Sequence, residues 1–290
     1  MPITINSNIP SLNAQRNLGK ATLALTDSYS KLSSGLRINK ASDDAAGLSI
    51  ADYLRADKRI ATVAIRNAND GISALNIADG AMNEISGLLV RMGELAEQAG
   101  NGILGPTQRG ALSKEFEALA AEIDRIAAVT EFNGRNLLSN GSITLQIGLK
   151  GNDGGNSQIT LRLYNLGTNM SLPSLGGSST TLSTYISSTP GASLSTQELA
   201  RYALDAIKIA VDIVSSTRGD LGAVQSRLAT TITNLSVTRE NFSAAESQIR
   251  DVDVATEASE LTRLTILQQA GASILAQANQ QPALAVKLLG

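Results

Sequence analysis

The chain has 290 residues and carries 24 Lys and Arg against 26 Asp and Glu, for a formal net charge of −2. Near-neutral charge without a basic cluster excludes the electrostatic footprint of nucleic-acid binding and a polybasic membrane patch. Cys, His and Trp are all absent, which removes disulfides, thiolate chemistry, the commonest general base and the commonest metal ligand, so no catalytic, cofactor or metal site is expected.

Ala, Leu, Ile and Val supply nearly all the apolar area, a composition suited to helices lying closely side by side. Leu18, Leu25, Tyr29, Leu32 and Leu36 fall on one helical stripe, which predicts a first helix ending near Gly35. From Leu54 a heptad begins: Leu54, Ala61, Ala68, Leu75, Met82, Leu89 and Ala96 at a, with Ala64, Gly71, Ala78, Ile85, Met92 and Ala99 at d. Its seam of Ala and Gly lets another helix approach closely, while Gly71, Gly80, Gly87 and Gly93 each cost roughly 1 kcal/mol of helix propensity relative to Ala. Such a helix needs neighbours.

After Gly100-Asn101-Gly102, Pro106 opens a shorter antiparallel helix carrying Leu112, Phe116, Leu119, Ile123 and Ile126. Ile143, Leu145 and Ile147, then Ile159, Leu161 and Leu163, alternate with polar residues around the Gly/Asn-rich stretch Gly148 to Asn156, which predicts a β-hairpin. Met170 to Ser195 is rich in Ser, Thr, Gly and Pro without periodicity and reads as an exposed excursion. The heptad then resumes with Ala200, Ile207, Val214, Leu221, Leu228, Leu235, Phe242 and Ile249 at a, and Ala203, Ala210, Thr217, Val224, Thr231, Thr238, Ala245 and Val252 at d. The expected fold is mainly α: a long antiparallel helical rod, a coiled-coil bundle with a small β-hairpin, and terminal helices that form a coiled coil on assembly.

The ends are unusual. Arg16 is the only charged residue between Met1 and Gly19, and Lys287 the only one between Leu264 and Gly290. A surface helix of a monomer normally keeps a charged face, yet Leu264, Leu267, Ala270, Ile274, Leu275, Ala278, Leu284 and Leu288 crowd the last stretch beside neutral Gln268, Gln269 and Gln277. Burying these residues needs other copies, so folding of the ends is expected to be coupled to self-assembly. The competing reading is a monomeric bundle whose end helices complete its own core. No apolar run is long enough to span a bilayer, and Met1-Pro2-Ile3-Thr4 lacks the start of a cleavable signal, so export would need a dedicated machine.

Particular runs then stand out: Ile5-Asn6-Ser7-Asn8, Leu12-Asn13-Ala14-Gln15-Arg16, Leu32-Ser33-Ser34-Gly35-Leu36-Arg37-Ile38-Asn39 and Ala41-Ser42-Asp43-Asp44-Ala45-Ala46-Gly47-Leu48. Further runs are Asn67-Ala68-Asn69-Asp70-Gly71-Ile72-Ser73, Glu131-Phe132-Asn133-Gly134, Ile266-Leu267-Gln268-Gln269-Ala270-Gly271 and Leu275-Ala276-Gln277-Ala278-Asn279. This pattern closely resembles bacterial flagellin over roughly residues 3 to 139 and 197 to 289. The resemblance implies a non-enzymatic subunit, secreted to the bacterial flagellar filament, that polymerises with itself for motility. A hook-filament junction protein of the same appendage, which shares related termini, is the alternative. It further implies an inner coiled-coil layer from residues 1–42 paired with 254–290 around an export channel, a rod from 43–140 and 194–253 outside it, and a hairpin with a short variable segment at 141–193. Many flagellins insert outer domains in that segment, so the short middle implies a thinner outer layer.

The residues expected in the inner layer are Leu18, Leu25, Leu32, Leu267, Ile274 and Leu275. The partners implied by resemblance are a flagellin export chaperone, the filament cap, hook-filament junction proteins and the animal Toll-like receptor for flagellin. Arg91, Leu95 and Glu115 match positions that the receptor contacts in recognised members, and the i,i+4 spacing of Arg91 and Leu95 suggests a shared surface. Gly93 replaces a second basic residue common there. Three other motifs read as structural. Ser28-Tyr29-Ser30-Lys31 fits an acyl-transfer pattern without its partner motifs, and Arg218-Gly219-Asp220 lies on the heptad where a helix precludes a loop. Asp43-Asp44 and Asp251-Val252-Asp253 suit capping or hinge roles better than a cation site.

Overall fold

The computed structural model describes residues 8–139, 141–151, 155–163, 171–172, 180–181 and 194–289. Five helices dominate them: α1 (Ile9–Ser34), α2 (Ala45–Ala99), α3 (Pro106–Val129), α4 (Gln197–Arg250) and α5 (Val254–Leu289). Between α3 and α4 lie three antiparallel strand pairs: β1 (Glu131–Phe132) with β2 (Arg135–Asn136), β3 (Gly141–Gln146) with β4 (Gln158–Leu163), and β5 (Ser171–Leu172) with β6 (Thr180–Thr181). The chain divides into two compact units, 59–238 and 1–58 with 239–290.

In the unit spanning 59–238, every seam residue of α2 from Ala61 to Ala99 is buried. Ala74 and Leu95, one position before an a residue, are buried too. A two-stranded coiled coil needs only a and d, so the widened stripe reflects partners on more than one side: α4 along the seam, and α3 with the hairpin beside it. Along α4, Ala200, Ile207, Val214, Leu221, Leu228 and Leu235 are buried. The seam threonines cost little because Thr217, Thr231 and Thr238 each donate a hydroxyl hydrogen bond to the carbonyl four residues back, at 2.8 Å. From α3, Phe116 and Ile123 complete the core.

The predicted hairpin forms with Ile143 opposite Leu161 and Leu145 opposite Ile159. Period-two alternation turns Ile147, Ile159 and Leu161 into the core while Thr144, Thr160 and Arg162 face water. Asn67 Nδ2 donates to the Gln146 carbonyl at 2.9 Å, tying the hairpin to α2. The β1–β2 turn is Asn133-Gly134 with φ of 50° and 72°, the left-handed pair a two-residue type I′ turn requires. Most of Met170 to Ser195 lies outside the described residues. Leu194 does not belong to an exposed excursion, since it is fully buried in the core just ahead of α4.

In the other unit, α1 and α5 pack on each other. The segments that connect them to α2 and α4 also meet. Leu36 and Asp251 form an antiparallel bridge, the Arg37 amide donates to the Arg250 carbonyl at 2.6 Å, and the Val252 amide donates to Gly35 at 3.1 Å. Gly35 supplies the left-handed cap (φ 70°) that ends α1 and frees its carbonyl for this pairing. Glu246 near the end of α4 takes Arg55 Nε at 3.0 Å and Lys58 Nζ at 2.6 Å from the start of α2.

Candidate assembly surface

The α1–α5 line of contact combines leucines and alanines with polar ties at several points. Asn8 caps α1, accepting from the Ser11 amide at 3.1 Å, and its Nδ2 donates to the Ala278 carbonyl at 2.8 Å. Ser11 donates to Asn279 at 2.6 Å, and Ser28 donates to the carboxylate of Glu257. Between them Gly271 faces Leu18, where an added Cβ would stand 3.4 Å from Leu18 Cδ1, an ordinary packing distance. Leu18, Leu25, Leu32 and Leu275 are half-buried on this line, and Ala14, Leu264 and Ala278 are buried.

Pairing covers one stripe of each helix and leaves the opposite ones bare. Leu23 is 74% exposed, and Ile9, Leu12, Ile266, Leu267 and Ile274 are exposed with it. Of the six residues expected in the inner layer, four thus line the intrachain contact, whereas Leu267 and Ile274 face outward. Leu23 escaped the sequence reading because it sits off the Leu18–Leu25–Leu32 stripe. The usable signal was that apolar residues in α1 and α5 fit no single stripe while charge is sparse at the chain ends, with Arg16 alone before Gly19 and Lys287 alone after Leu264. The side chains of Leu284 and Leu288 lie outside the described residues.

Both acidic pairs act at helix ends. Asp44 accepts the Gly47 amide at 2.9 Å at the start of α2, and Asp43 accepts the amides of Asn39 and Lys40. Asp253 caps α5, and hydrogen bonds from the Thr256 amide and hydroxyl and from the Ala255 amide hold its carboxyl below the usual range. Ser28 and Lys31 turn to different partners, Glu257 and Asp27, and the hydrogen bond to Asp27 raises the Lys31 pKa, opposite to what a general base needs. Arg218 sits mid-helix and bridges to Asp79 at 2.8 Å and Asn83 at 3.1 Å, joining α4 to α2.

Arg91 on α2 reaches across to Glu115 on α3 at 2.8 Å and along its own helix to Glu94 at 2.8 Å. These hydrogen bonds, Glu94 first and then Glu115, raise its pKa, and all three side chains remain well exposed. Leu95 does not share that surface. It is 1% exposed because it sits beside the a position Ala96 on the widened seam, at the edge of the face that Arg91 shares.

Residues 5–142 match the family model of the bacterial flagellin N-terminal helical region, and residues 204–289 match that of the C-terminal helical region. The chain is 41% identical to a flagellin of Halalkalibacterium halodurans over 285 residues, covering 98% of this chain and 99% of that one. It is 40% identical to a flagellin of Bacillus subtilis over 307 residues, again covering 98% and 99%. In fold it is similar to a putative flagellar hook-associated protein from Vibrio parahaemolyticus, with a TM-score of 0.60 at 12% identity, covering 72% of this chain and 100% of that one. Long heptad seams along α2 and α4, a pair of terminal helices with bare apolar faces, and end-to-end matches to curated relatives agree: the chain belongs to the bacterial flagellin family.

Proposed function

We propose that the bare faces of α1 and α5 are where this flagellin, a structural subunit of the flagellar filament, packs against further copies of itself. The observation that carries this reading is the outward-facing apolar row containing Leu12, Leu23, Ile266 and Ile274, with no charged residue in α5 between Leu264 and Lys287, on helices already paired along their other side. Apolar area contributes about 25 cal/mol per Å² when removed from water, so a few hundred Å² per subunit yields several kcal/mol, repeated at every step of a polymer. Placed in the inner layer of a tube, these faces are covered on all sides. No helix among the described residues is long and apolar enough to cross a membrane.

The same bare rows call for cover before assembly. In this reading the chain is exported, an export chaperone shields α5 beforehand, and cap and junction proteins meet the filament ends through the same helix faces. Arg91 and Glu115, exposed on neighbouring helices, are the surface offered to the Toll-like receptor for flagellin, with Leu95 supporting it from below. Electron microscopy of the purified chain, polymerised alone, tests the central point. Long tubes are expected. Short stubs that grow only on pre-formed filament ends would favour the junction protein instead.

A further inference from the structure

Asparagine followed by glycine occurs at Asn101-Gly102, Asn133-Gly134 and Asn140-Gly141. The step is chemically special: with no Cβ in the way, the glycine nitrogen can approach the asparagine Cγ and close a five-membered ring. Asn140 lies outside the described residues, and the other two steps stand in different surroundings.

Asn101 and Gly102 are exposed in the turn between α2 and α3, at whose tip Ile103 is 90% exposed. The turn is braced from α3. Arg109 Nε donates to the Ala99 carbonyl and Nη2 to the Asn101 carbonyl, both at 2.9 Å, and the Leu104 amide reaches the same Asn101 oxygen at 3.3 Å. That oxygen belongs to the peptide whose N–H is on Gly102. When the Gly102 nitrogen loses its proton, negative charge spreads onto this oxygen, and a guanidinium donating to it stabilises the anion more than the neutral peptide. The side chain is set as well: Asn101 Oδ1 accepts the Ile103 amide at 3.1 Å, a donor placed where charge gathers as the nitrogen adds to Cγ. Among the described residues neither the Gly102 amide nor Asn101 Nδ2 makes a hydrogen bond, so nucleophile and leaving group are both unencumbered.

Asn133-Gly134 lacks these aids. Asn133 sits in the left-handed region at φ 50°, its side chain accepts no hydrogen bond among the described residues, and the pairs Phe132–Arg135 and Glu131–Asn136 close the turn. A five-membered imide would force the asparagine ψ away from the left-handed value of about +47° and break that pairing.

We propose that Asn101-Gly102 is a self-modifying site, at which the chain converts its own Asn101 to aspartate and isoaspartate with Arg109 as the activating donor. The Gly102 N–H proton passes to hydroxide, the nitrogen's electron pair forms the bond to Cγ, and the Cγ–Nδ2 bond breaks. Nδ2 takes a proton from water and leaves as ammonia. Water then opens the succinimide: attack at Cγ restores the normal chain as aspartate, and attack at the main-chain carbonyl leaves isoaspartate, with the chain running through Cβ. The balance is one water in and one ammonia out. No charged residue occurs in Gly100–Gly105, so the product puts a carboxylate on a neutral turn, and isoaspartate also lengthens the backbone that Arg109 braces. The proposal does not rest on the filament reading.

The test begins with the wild-type full-length chain, aged at mildly alkaline pH both folded and in concentrated urea, with aspartate and isoaspartate measured at each site by peptide mapping and mass spectrometry. In the folded chain Asn101 is expected to convert at least about tenfold faster than Asn133, and no more slowly than it does in urea, giving both products. Slower conversion of Asn101 when folded than when unfolded, a rate no greater than that of Asn133, or aspartate without isoaspartate overturns the proposal. Arg109→Gln then separates activation from looseness. Losing the guanidinium should slow Asn101 roughly tenfold, whereas a turn that merely needs mobility would react faster once unbraced, so an unchanged or faster rate overturns the proposal. Circular dichroism checks that the variant is folded, and if it is not, the wild-type comparison decides.

Discussion

Ile274 and Leu275 are adjacent, apolar and indistinguishable by composition, yet the structure gives them different work. Leu275 is half-buried on the α1–α5 line, so a charge there would weaken the subunit itself. Ile274 is 59% exposed, so Ile274→Asp should leave the helicity and melting of the monomer unchanged within about 0.5 kcal/mol, as surface changes usually do. In the polymer its carboxylate would be buried without a partner, which costs several kcal/mol. Circular dichroism of the monomer together with sedimentation of the polymer checks this. Normal filaments would place the α5 face outside the subunit contacts. Leu95 teaches the same lesson from the other direction: proximity to Arg91 in sequence did not make it a surface residue.

Among the elements, α2 shows why its glycines are not equivalent. At Gly71 a Cβ would stand 2.2 Å from Leu145 Cδ1, so the hairpin lies directly on the helix there. At Gly80 nothing lies within 4 Å and the residue is exposed. Gly80→Ala should therefore stabilise the subunit by about 0.5–1 kcal/mol through helix propensity alone. Gly71→Val should destabilise it by roughly 1–3 kcal/mol through overpacking that outweighs propensity. Thermal melts of the two variants should move in opposite directions. A second element-level feature is the junction of Glu246 with Lys58 and Arg55, which holds the Glu246 carboxyl below its ordinary value of 4.5. A depressed folded pKa means the contribution is present above pH 4.5 and is lost as pH falls through the folded value. Glu246→Gln should cost about 1 kcal/mol at neutral pH, a small figure because Arg55 remains partly in water. The gap between variant and wild type should close on acidification below pH 4.5 in denaturant titrations.

At the scale of the whole molecule, the two units differ sharply in what holds them. Among the described residues the unit of 1–58 with 239–290 buries only Ala14, Ile38, Ala51, Leu264 and Ala278 of its apolar side chains. The other buries Phe116, Met82, Ile85, Leu89, Met92 and Ile123 with many more. Local opening is easiest where few apolar contacts must break. Amide hydrogen exchange in the monomer should accordingly be at least about 100-fold faster in α1 and α5 than along α2 from Leu75 to Ala96. Polymerisation should slow α1 and α5 selectively. Equal protection in the monomer would mean that the terminal pair is a finished core and that the bare rows are not awaiting partners.

Heptad seams, the Pro106 start, the Gly35 stop and the alternating hairpin residues were legible in the chain because each depends on local spacing: a period sets which residues share a face. The family resemblance was legible for the same reason, being carried by contiguous runs. Which of several faces each helix buries was not local. Leu95 and Ala74 became core because α2 has more than one neighbour, Leu275 and Ile274 separated because α5 pairs with α1 along one line, and Ile103 was left at the tip of a braced turn. Periodicity names candidate faces, and only the packing of residues distant in sequence decides which of them is covered and which is left for another copy.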